Sequence, residues 1–209
     1  MPCETRAGSS CVTLNLDGYT PVPAGKTASV VTYLEMRARP EPNPRDATGL
    51  SLHRVDAAES DWYRGLFRRI GADWLWSERL AMSEADLKAI LADPAVEIYS
   101  LIRRGREAGM VELDFRDPEN VELGYFGLVP EAIGSGAGRW MMEQALDEVW
   151  ARPRTRRFWV HTCTLDAPGA LGFYQACGFT PYKRAIEVSD DPRLAGLLPR
   201  DAAPQVPVL

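Results

Sequence analysis

Three glycines at alternate positions, Gly134, Gly136 and Gly138, follow a short apolar strand and precede an amphipathic helix. Glycine lets backbone N–H groups approach a ligand closely, and the first turn of a helix adds unpaired donors and a positive potential. The pattern therefore predicts a cradle for a pyrophosphate. The alternative interpretation is a helix start built from small residues only for tight packing.

Two well-known nucleotide loops fit this spacing poorly. A P-loop needs a lysine followed by Ser or Thr, which the run "GSGAGR" lacks. The dinucleotide-binding fingerprint needs G-x-G-x-x-G within parallel βαβ units, whereas the strands ahead of this loop read as antiparallel. A dinucleotide-binding module therefore stays a weaker alternative.

Several side chains near the loop could carry acid–base or nucleophilic chemistry. Glu122 interrupts the apolar strand "NVELGYFGLV", and an unpaired carboxylate is costly to bury, so it is either functional or at a wet edge. Glu112 and Asp114 on the preceding strand are reserve candidates for a base. His161 and Cys163 share one face of the strand "WVHTC"; packing is favoured over a nucleophilic pair, and His161 remains a candidate substrate contact.

Composition excludes several function classes. The net charge of −5 argues against a non-specific nucleic-acid binder and suits a cationic substrate slightly better. The four cysteines form no C-x-x-C pair and there are only two histidines, so no zinc spacing can be assembled and no metal is expected. No apolar stretch reaches the ~18 residues of a membrane helix, and no signal peptide is evident. We expect a cytoplasmic protein that binds neither nucleic acid nor membrane.

Hydrophobic periodicity predicts one α/β (α+β) domain with an extension at each end. The expected strands cover residues 11–16, 29–38, 96–102, 107–115, 120–129, 156–164 and 181–188, of which 96–129 form an antiparallel meander. The expected helices cover residues 60–71, residues 83–93, a run from the glycine loop to about Trp150, and a short stretch within 166–179 that ends before Gly178. We divide the chain into an N-terminal extension at 1–27, the domain at 28–188 and an irregular tail at 189–209.

Two motifs in the correct order make this sequence resemble the GNAT superfamily of N-acetyltransferases. Leu128-Val129-Pro130 stands for the family's V-x-P, and residues 133–138 stand for its acetyl-CoA loop, although Ile133 replaces the usual Arg or Gln. The second motif, A-x-x-x-Y followed by G-F, is matched by Ala170, Tyr174, Gly178 and Phe179. Where many members have an asparagine, this chain has Ala167, next to Asp166.

The resemblance implies a GNAT fold, with a mixed central sheet of about six to seven strands and helices on both faces. It implies that the strand ahead of the loop splays from its neighbour and leaves a backbone N–H near Leu128 or Val129 for the thioester oxygen. Tyr174 would be the general acid, and Glu122 stands where histone-acetylating members carry their base. The implied contacts to acetyl-CoA are Leu128, Val129, Ile133, Gly134, Ser135, Gly136, Ala137, Gly138, Arg139, Asp166 and Ala170.

The acceptor site is the least determined part of this prediction. Trp62, Trp74 and Trp76 gather in the region that covers the acceptor in the family, and aromatic rings can hold an amine, although ordinary core packing is an open alternative. We expect direct acetyl transfer from acetyl-CoA to a primary amine of a small molecule or peptide. An idle acyl-CoA-binding regulatory module is the rival. A homodimer is one candidate assembly.

Overall fold

The structure is a computed structural model that describes residues 13–43 and 46–209. Within these residues, the strands are β1 (Lys26–Met36), β2 (Leu50–Arg54), β3 (Val96–Arg103), β4 (Arg106–Asp114), β5 (Asn120–Leu128), β6 (Arg157–Cys163) and β7 (Thr180–Asp190). The α-helices are α1 (Ser60–Gly71), α2 (Glu78–Ala81), α3 (Glu84–Leu91), α4 (Ala137–Trp150) and α5 (Ala170–Ala176). Short 3₁₀ turns at Ala72–Trp74 and Pro130–Ala132 join them.

All seven strands form one mixed sheet in the order β2-β3-β4-β5-β6-β1-β7. Every neighbouring pair is antiparallel except β5 and β6, which are parallel. The predicted meander of β3, β4 and β5 is confirmed, because their alternating apolar runs are joined by short turns. β1, the first strand in the chain, lies between β6 and β7, the last two.

Helices cover both faces of the sheet, as predicted. Tyr125 of β5 packs on Phe67 of α1, with ring centroids 4.7 Å apart, whereas the next residue, Phe126, packs on Phe173 of α5 at 5.6 Å. Successive strand residues point to opposite faces, so α1 and α5 lie on opposite sides of the sheet. We call these the α1 face and the α5 face.

The parallel strands β5 and β6 separate soon after they meet. Their pairing runs only from Asn120↔Arg157 to Glu122↔Trp159, although both strands continue beyond it. On its other edge β5 contains an irregularity: Glu112 pairs with Tyr125 and Leu113 with Leu123, which leaves Gly124 as an extra residue. An extra residue of this kind bends and twists its strand. The result is a V-shaped gap in the middle of the sheet.

Two local predictions differ from the structure. The predicted strand at residues 11–16 is wrong for residues 13–16, which form no strand, and residues 11–12 lie outside the described part of the chain. The edge strand β2 was missed, because only five half-exposed residues follow a proline-rich segment and carry a weak alternation.

The C-terminal residues after Asp190 contain no helix or strand, as expected, yet Leu198, Ala202 and Ala203 are buried. Across residues 13–43 and 46–209, no helix is both long enough and apolar enough to cross a bilayer. In that same part of the chain, no cluster of three or more His, Cys, Asp or Glu side chains is placed to hold a metal ion.

Candidate active site

A cavity of about 690 Å³ occupies the gap between β5 and β6. The glycine loop and α5 line one side of it, and the segment between α1 and α2 lines the other. Most of the predicted site residues meet here, although they come from separate parts of the chain. Those that line the cavity are Trp74, Trp76, Leu128, Ile133, Gly134, Gly136, Gly138, Arg139, His161, Asp166, Ala170 and Tyr174.

The glycine loop has the backbone conformation that glycine allows. Gly134 and Gly136 have φ angles of 77° and 84°, and no atom lies within 4 Å of a Cβ placed on either residue. Gly136 is the N-cap of α4, so the N–H groups of Ala137, Gly138 and Arg139 belong to the first turn, where a helix has no acceptor of its own. These donors and the positive end of the helix dipole suit a pyrophosphate.

Side chains around the loop mainly fix its shape. The Ser135 hydroxyl donates to the carbonyl of Ala132 at 2.7 Å, so it closes the turn before α4. Arg139 donates to the carbonyl of Ala176 at the end of α5, also at 2.7 Å, and ties the two helices together. Ile133 is 56% exposed and lines the cavity without offering a polar group. Anion binding at this loop therefore depends on the backbone.

The gap exposes particular backbone donors of β5. The N–H of Val129 already donates to the carbonyl of Ala108 at 3.0 Å, on the β4 side, and the Val129 side chain is buried. Because backbone donors alternate along a strand, the N–H groups of Leu128 and Phe126 point to the opposite edge, toward the gap. The donors that face the gap are therefore the N–H groups of Leu128 and Phe126, and not that of Val129; the sequence analysis had named Leu128 and Val129 and missed Phe126.

Tyr174 stands on α5 and faces this gap. It is 8% exposed, and its ring packs against Phe126 and Phe179 at centroid distances of 6.4 and 5.9 Å. Burial raises the pKa of Tyr174 above its usual range, and the nearby charges of Asp166 and Cys177 add to that shift. The phenol therefore stays protonated at any physiological pH and can act as a proton donor.

Glu122 lies at the closed end of the gap, at the last paired position of β5 and β6. It does not line the main cavity but a second one of about 530 Å³, shared with Asp114, Asp117 and Trp159. Burial raises the pKa of Glu122 to about 7, and the negative charges of Asp114 and Glu112 contribute. A carboxylate with this pKa is a stronger base than an exposed glutamate.

His161 lies between Glu122 and the main cavity. Its Nε2 lies 3.8 Å from Oε1 of Glu122, and its ring lines the main cavity. This separation exceeds a hydrogen bond, so a bridging water or a rotation of the imidazole would complete the connection. The arrangement gives Glu122 a route to the main cavity that the sequence did not indicate.

The carboxylates of Glu112 and Asp114, the reserve candidates for a base, are already hydrogen-bonded to other side chains. Glu112 is 1% exposed and accepts from the Tyr63 hydroxyl and from Arg79, both at 2.5 Å. Burial opposes ionisation of Asp114, but its hydrogen bonds with Arg116 outweigh that effect and lower its pKa. A carboxylate that is held by an arginine is a weak base. Among these three acids, Glu122 has the properties of a base.

The three tryptophans have different surroundings. Trp74 and Trp76 line the cavity, whereas Trp62 does not: its indole N–H donates to Glu107 at 2.6 Å, at the start of β4. The Trp76 indole lies against Tyr125 at 5.3 Å, and a Cβ on Gly127 would come within 3.1 Å of it. Trp74 and Trp76 are therefore placed to contact a molecule in the cavity, whereas Trp62 is not.

Asp166 binds groups on both sides of the gap. Its carboxylate accepts from the Trp76 indole at 2.9 Å, from the Thr162 hydroxyl at 2.7 Å and from the N–H of Cys163 at 2.9 Å. The bond to Trp76 spans the gap from the α1 face to the end of β6. Asp166 thus fixes both the loop before α5 and the Trp76 ring, and a direct contact to a cofactor stays a prediction.

The side of the cavity formed by α2 and β7 also contains polar groups that the sequence analysis did not select. Glu78 of α2 and Glu187 of β7 line the cavity, and the Tyr125 hydroxyl donates to Glu78. The strand alternation around Tyr125 could have indicated its face. The position of Glu78 could not be predicted, because it depends on the turn between α1 and α2, where Leu75 has a φ of 57°.

Known structures share this fold at low identity. A putative GNAT-family acetyltransferase from Novosphingobium aromaticivorans has a TM-score of 0.52 and 16% identity, with 82% of this chain and 70% of that chain covered. A GCN5-related N-acetyltransferase from Sphaerobacter thermophilus has a TM-score of 0.56 and 14% identity, with coverages of 83% and 53%. An aminoglycoside acetyltransferase from an uncultured soil sample has a TM-score of 0.50 and 13% identity, with coverages of 63% and 88%.

In four solved structures with this fold, including the first two named above, the chain covers 53–70% of the other protein's length. A search of curated proteins found no match. The sequence model of the acetyltransferase (GNAT) family matches residues 58–179, which include the glycine loop, β5, β6 and α5. Since this match spans more than half of the 209 residues, the chain belongs to the GNAT acetyltransferase family.

Proposed function

We propose that this protein is an N-acetyltransferase that moves an acetyl group from acetyl-CoA directly to a primary amine of a small molecule or peptide. The observation that carries the proposal is the continuous cavity that joins the α4 N-terminus to Tyr174 and to the gap-facing amides of β5. We also expect the protein to work in a reducing cytoplasm. A homodimer remains a prediction.

The residues present fit acetyl-CoA. The backbone donors at Gly136, Ala137 and Gly138 would hold the pyrophosphate, and the open space beside Gly134 and Gly136 leaves room for it. The gap-facing N–H of Leu128 would hold the pantetheine arm. Bound acetyl-CoA supplies an acetyl group activated as a thioester. An acetyl group activated as a thioester needs from the protein only correct orientation, stabilisation of the negative charge that develops on its oxygen, and proton transfer.

Three groups of the site stabilise charge or transfer a proton during the reaction. The N–H of Phe126 stabilises the carbonyl oxygen as the amine nitrogen bonds to the acetyl carbon and negative charge develops. Glu122 accepts the proton that the amine loses, through His161 or a water in the same position. Tyr174 donates its phenolic proton to the sulfur as the carbon–sulfur bond breaks. The products are the N-acetylated amine and free thiol, and the proton that Glu122 gained returns through water to the Tyr174 phenolate, so both groups regain their starting state.

A panel of amines with acetyl-CoA, read by release of free thiol, tests the proposal directly. Turnover that depends on the amine supports it. An idle CoA-binding module would instead show a melting-temperature shift with CoA but no thiol release with any amine. A dinucleotide-binding module would show its shift with NAD and none with CoA.

A valine at Gly136 is expected to weaken CoA binding at least tenfold while the protein stays folded. The side chain would enter the open space at the helix N-terminus, and the positive φ adds strain of about 1–2 kcal/mol. Gly105→Val is the matched control: Gly105 has a φ of 75° and equally open surroundings, but it lies in the β3–β4 turn. Calorimetry on both variants should show weak CoA binding only for Gly136→Val. Equal affinities would contradict a backbone cradle.

Trp74→Phe is expected to raise the acceptor KM several-fold and to leave the acetyl-CoA KM within about twofold. Trp74 lines the acceptor side of the cavity, and a smaller ring offers less contact and a weaker cation–π interaction. Trp62→Phe is the control, because Trp62 is a partly buried ring outside the cavity. The prediction fails if both variants change only the melting temperature.

A further inference from the structure

The C-terminal segment after β7 is packed into the protein, although it has no regular structure. Its residues Leu198 and Ala203 are 5% and 0% exposed and belong to the hydrophobic core. The segment forms only turns between Asp191 and Leu209. An irregular segment with a buried apolar side needs specific polar contacts to define one conformation, because it lacks the repeating hydrogen bonds of a helix or strand.

Arg193 supplies those contacts. Its side chain is 1% exposed, and its Nε and Nη2 donate to the carboxylate of Asp191 at 2.9 and 2.7 Å. Its Nη1 donates to the carbonyls of Ala202, Ala203 and Val206 at 3.0, 3.3 and 2.8 Å. A buried guanidinium is tolerable only when it is paired and its donors are used, as they are here. One side chain therefore holds both the start of the segment and its returning part.

The held segment reaches across the acceptor side of the cavity. Pro192 lines the cavity beside Glu187 and Ser189 of β7. Farther along, the Gln205 side chain donates to the carbonyl of Asp73 at 2.8 Å, and Asp73 directly precedes Trp74. The segment thus joins β7 to the turn that carries Trp74. Its far end returns to the start of β1, where the N–H of Gly25 donates to Leu209.

We propose that residues 191–209 form the outer wall of the acceptor subsite and set which amines fit, with Arg193 as the positioning residue. The inference rests on the proposed function. Pro192 lines the cavity directly after β7, and Gln205 is bonded to the residue before Trp74, so a shift of the segment changes the distance between β7 and Trp74. Neither Gln205 nor Arg193 lines the cavity or bonds to the glycine loop, so a shift of the segment should affect the acceptor and not acetyl-CoA.

The test uses Gln205→Ala and Arg193→Lys in the full chain. Gln205 is exposed, so its replacement removes the bond to Asp73 without opening the core; Asp201→Ala, at an exposed position of the same segment, is the control. We expect the acceptor KM to rise about three- to tenfold in Gln205→Ala and more in Arg193→Lys, which keeps the charge near Asp191 but loses the planar fork. The order of preference among amines should change, while the acetyl-CoA KM stays within twofold.

Hydrogen exchange gives a readout that does not depend on turnover. The amides of residues 72–76 should exchange faster in Gln205→Ala than in Asp201→Ala if the segment holds the Trp74 turn. Normal turnover with unchanged acceptor KM and unchanged amine preference in both folded variants would overturn this inference and leave the acetyltransferase proposal intact. A wild-type protein without turnover on any amine would overturn the acetyltransferase proposal, and the wall with it.

Discussion

Tyr174→Phe should lower kcat by about 10²–10⁴ and leave the affinity for acetyl-CoA nearly unchanged. This range is what removal of one general acid or base commonly costs. Phenylalanine keeps the ring that packs on Phe126 and Phe179, so the change isolates the hydroxyl. Because burial raises the pKa of Tyr174, the wild-type enzyme should show no loss of this proton donor below about pH 10.

Single-turnover and steady-state kinetics on Tyr174→Phe check the assignment. Tyr19→Phe is a suitable control, since Tyr19 is 99% exposed and its hydroxyl should not matter. A large loss in kcat with an unchanged acetyl-CoA dissociation constant identifies a step after binding. Full turnover of Tyr174→Phe across the pH range would show that water or the ammonium proton of the acceptor protonates the sulfur.

Glu122→Gln should lower kcat/KM by a similar factor at neutral pH, with a characteristic pH dependence. The base must be ionised, and burial raises the pKa of Glu122 to about 7, so wild-type activity should rise with pH up to about 7 and then level off. The variant lacks the base and depends on free amine, whose fraction keeps increasing up to the acceptor's own pKa. The difference between the two proteins should therefore be largest at or below pH 7 and smallest near pH 10.

Asp117→Asn is the control for the pH profile, because Asp117 lines the same small cavity without approaching His161 in the contacts described here. This variant should keep the wild-type profile. If Glu122→Gln still shows the rise in activity with pH near pH 7, another group must cause that rise. His161→Asn should reduce the rate less than Glu122→Gln if a water can replace the imidazole in the proton path.

The raised pKa of Glu122 also predicts that ionisation of this carboxyl, which favours catalysis, lowers the stability of the folded protein. A carboxyl whose pKa is raised on folding binds protons more tightly in the native state, so its ionisation destabilises the protein. The cost is absent below the unfolded pKa of about 4.5 and complete above about 7. Glu122→Gln should therefore raise the melting temperature at pH 8 relative to the wild type, with little difference at pH 4.5.

Local spacing in the sequence determined the parts of the site that lie within one element and its neighbours. Gly134, Gly136 and the start of α4 are contiguous, and the α5 motif with Tyr174 spans only a few turns. The meander of β3 to β5 follows from alternating apolar residues and short connections. The family resemblance added the order of the remaining elements and the gap between β5 and β6. The local features could be predicted because short-range backbone preferences and periodicity specify them, whereas the gap followed only from the resemblance.

The tertiary structure decided where each of several equivalent candidates lies relative to the gap. The extra residue at Gly124 and the bond from Val129 to Ala108 determine that Leu128 and Phe126 face the gap. Arg79 reaches Glu112 from α2 and binds its carboxylate, so Glu122 is the acid that we propose as the base.

Trp74, and not Trp62, lines the cavity because the turn after α1 brings it there, and Arg193 folds the last residues against that turn. Each of these outcomes depends on contacts between residues far apart in the chain. Helical or strand spacing carries no information about such contacts, because it records only which face of an element a side chain occupies.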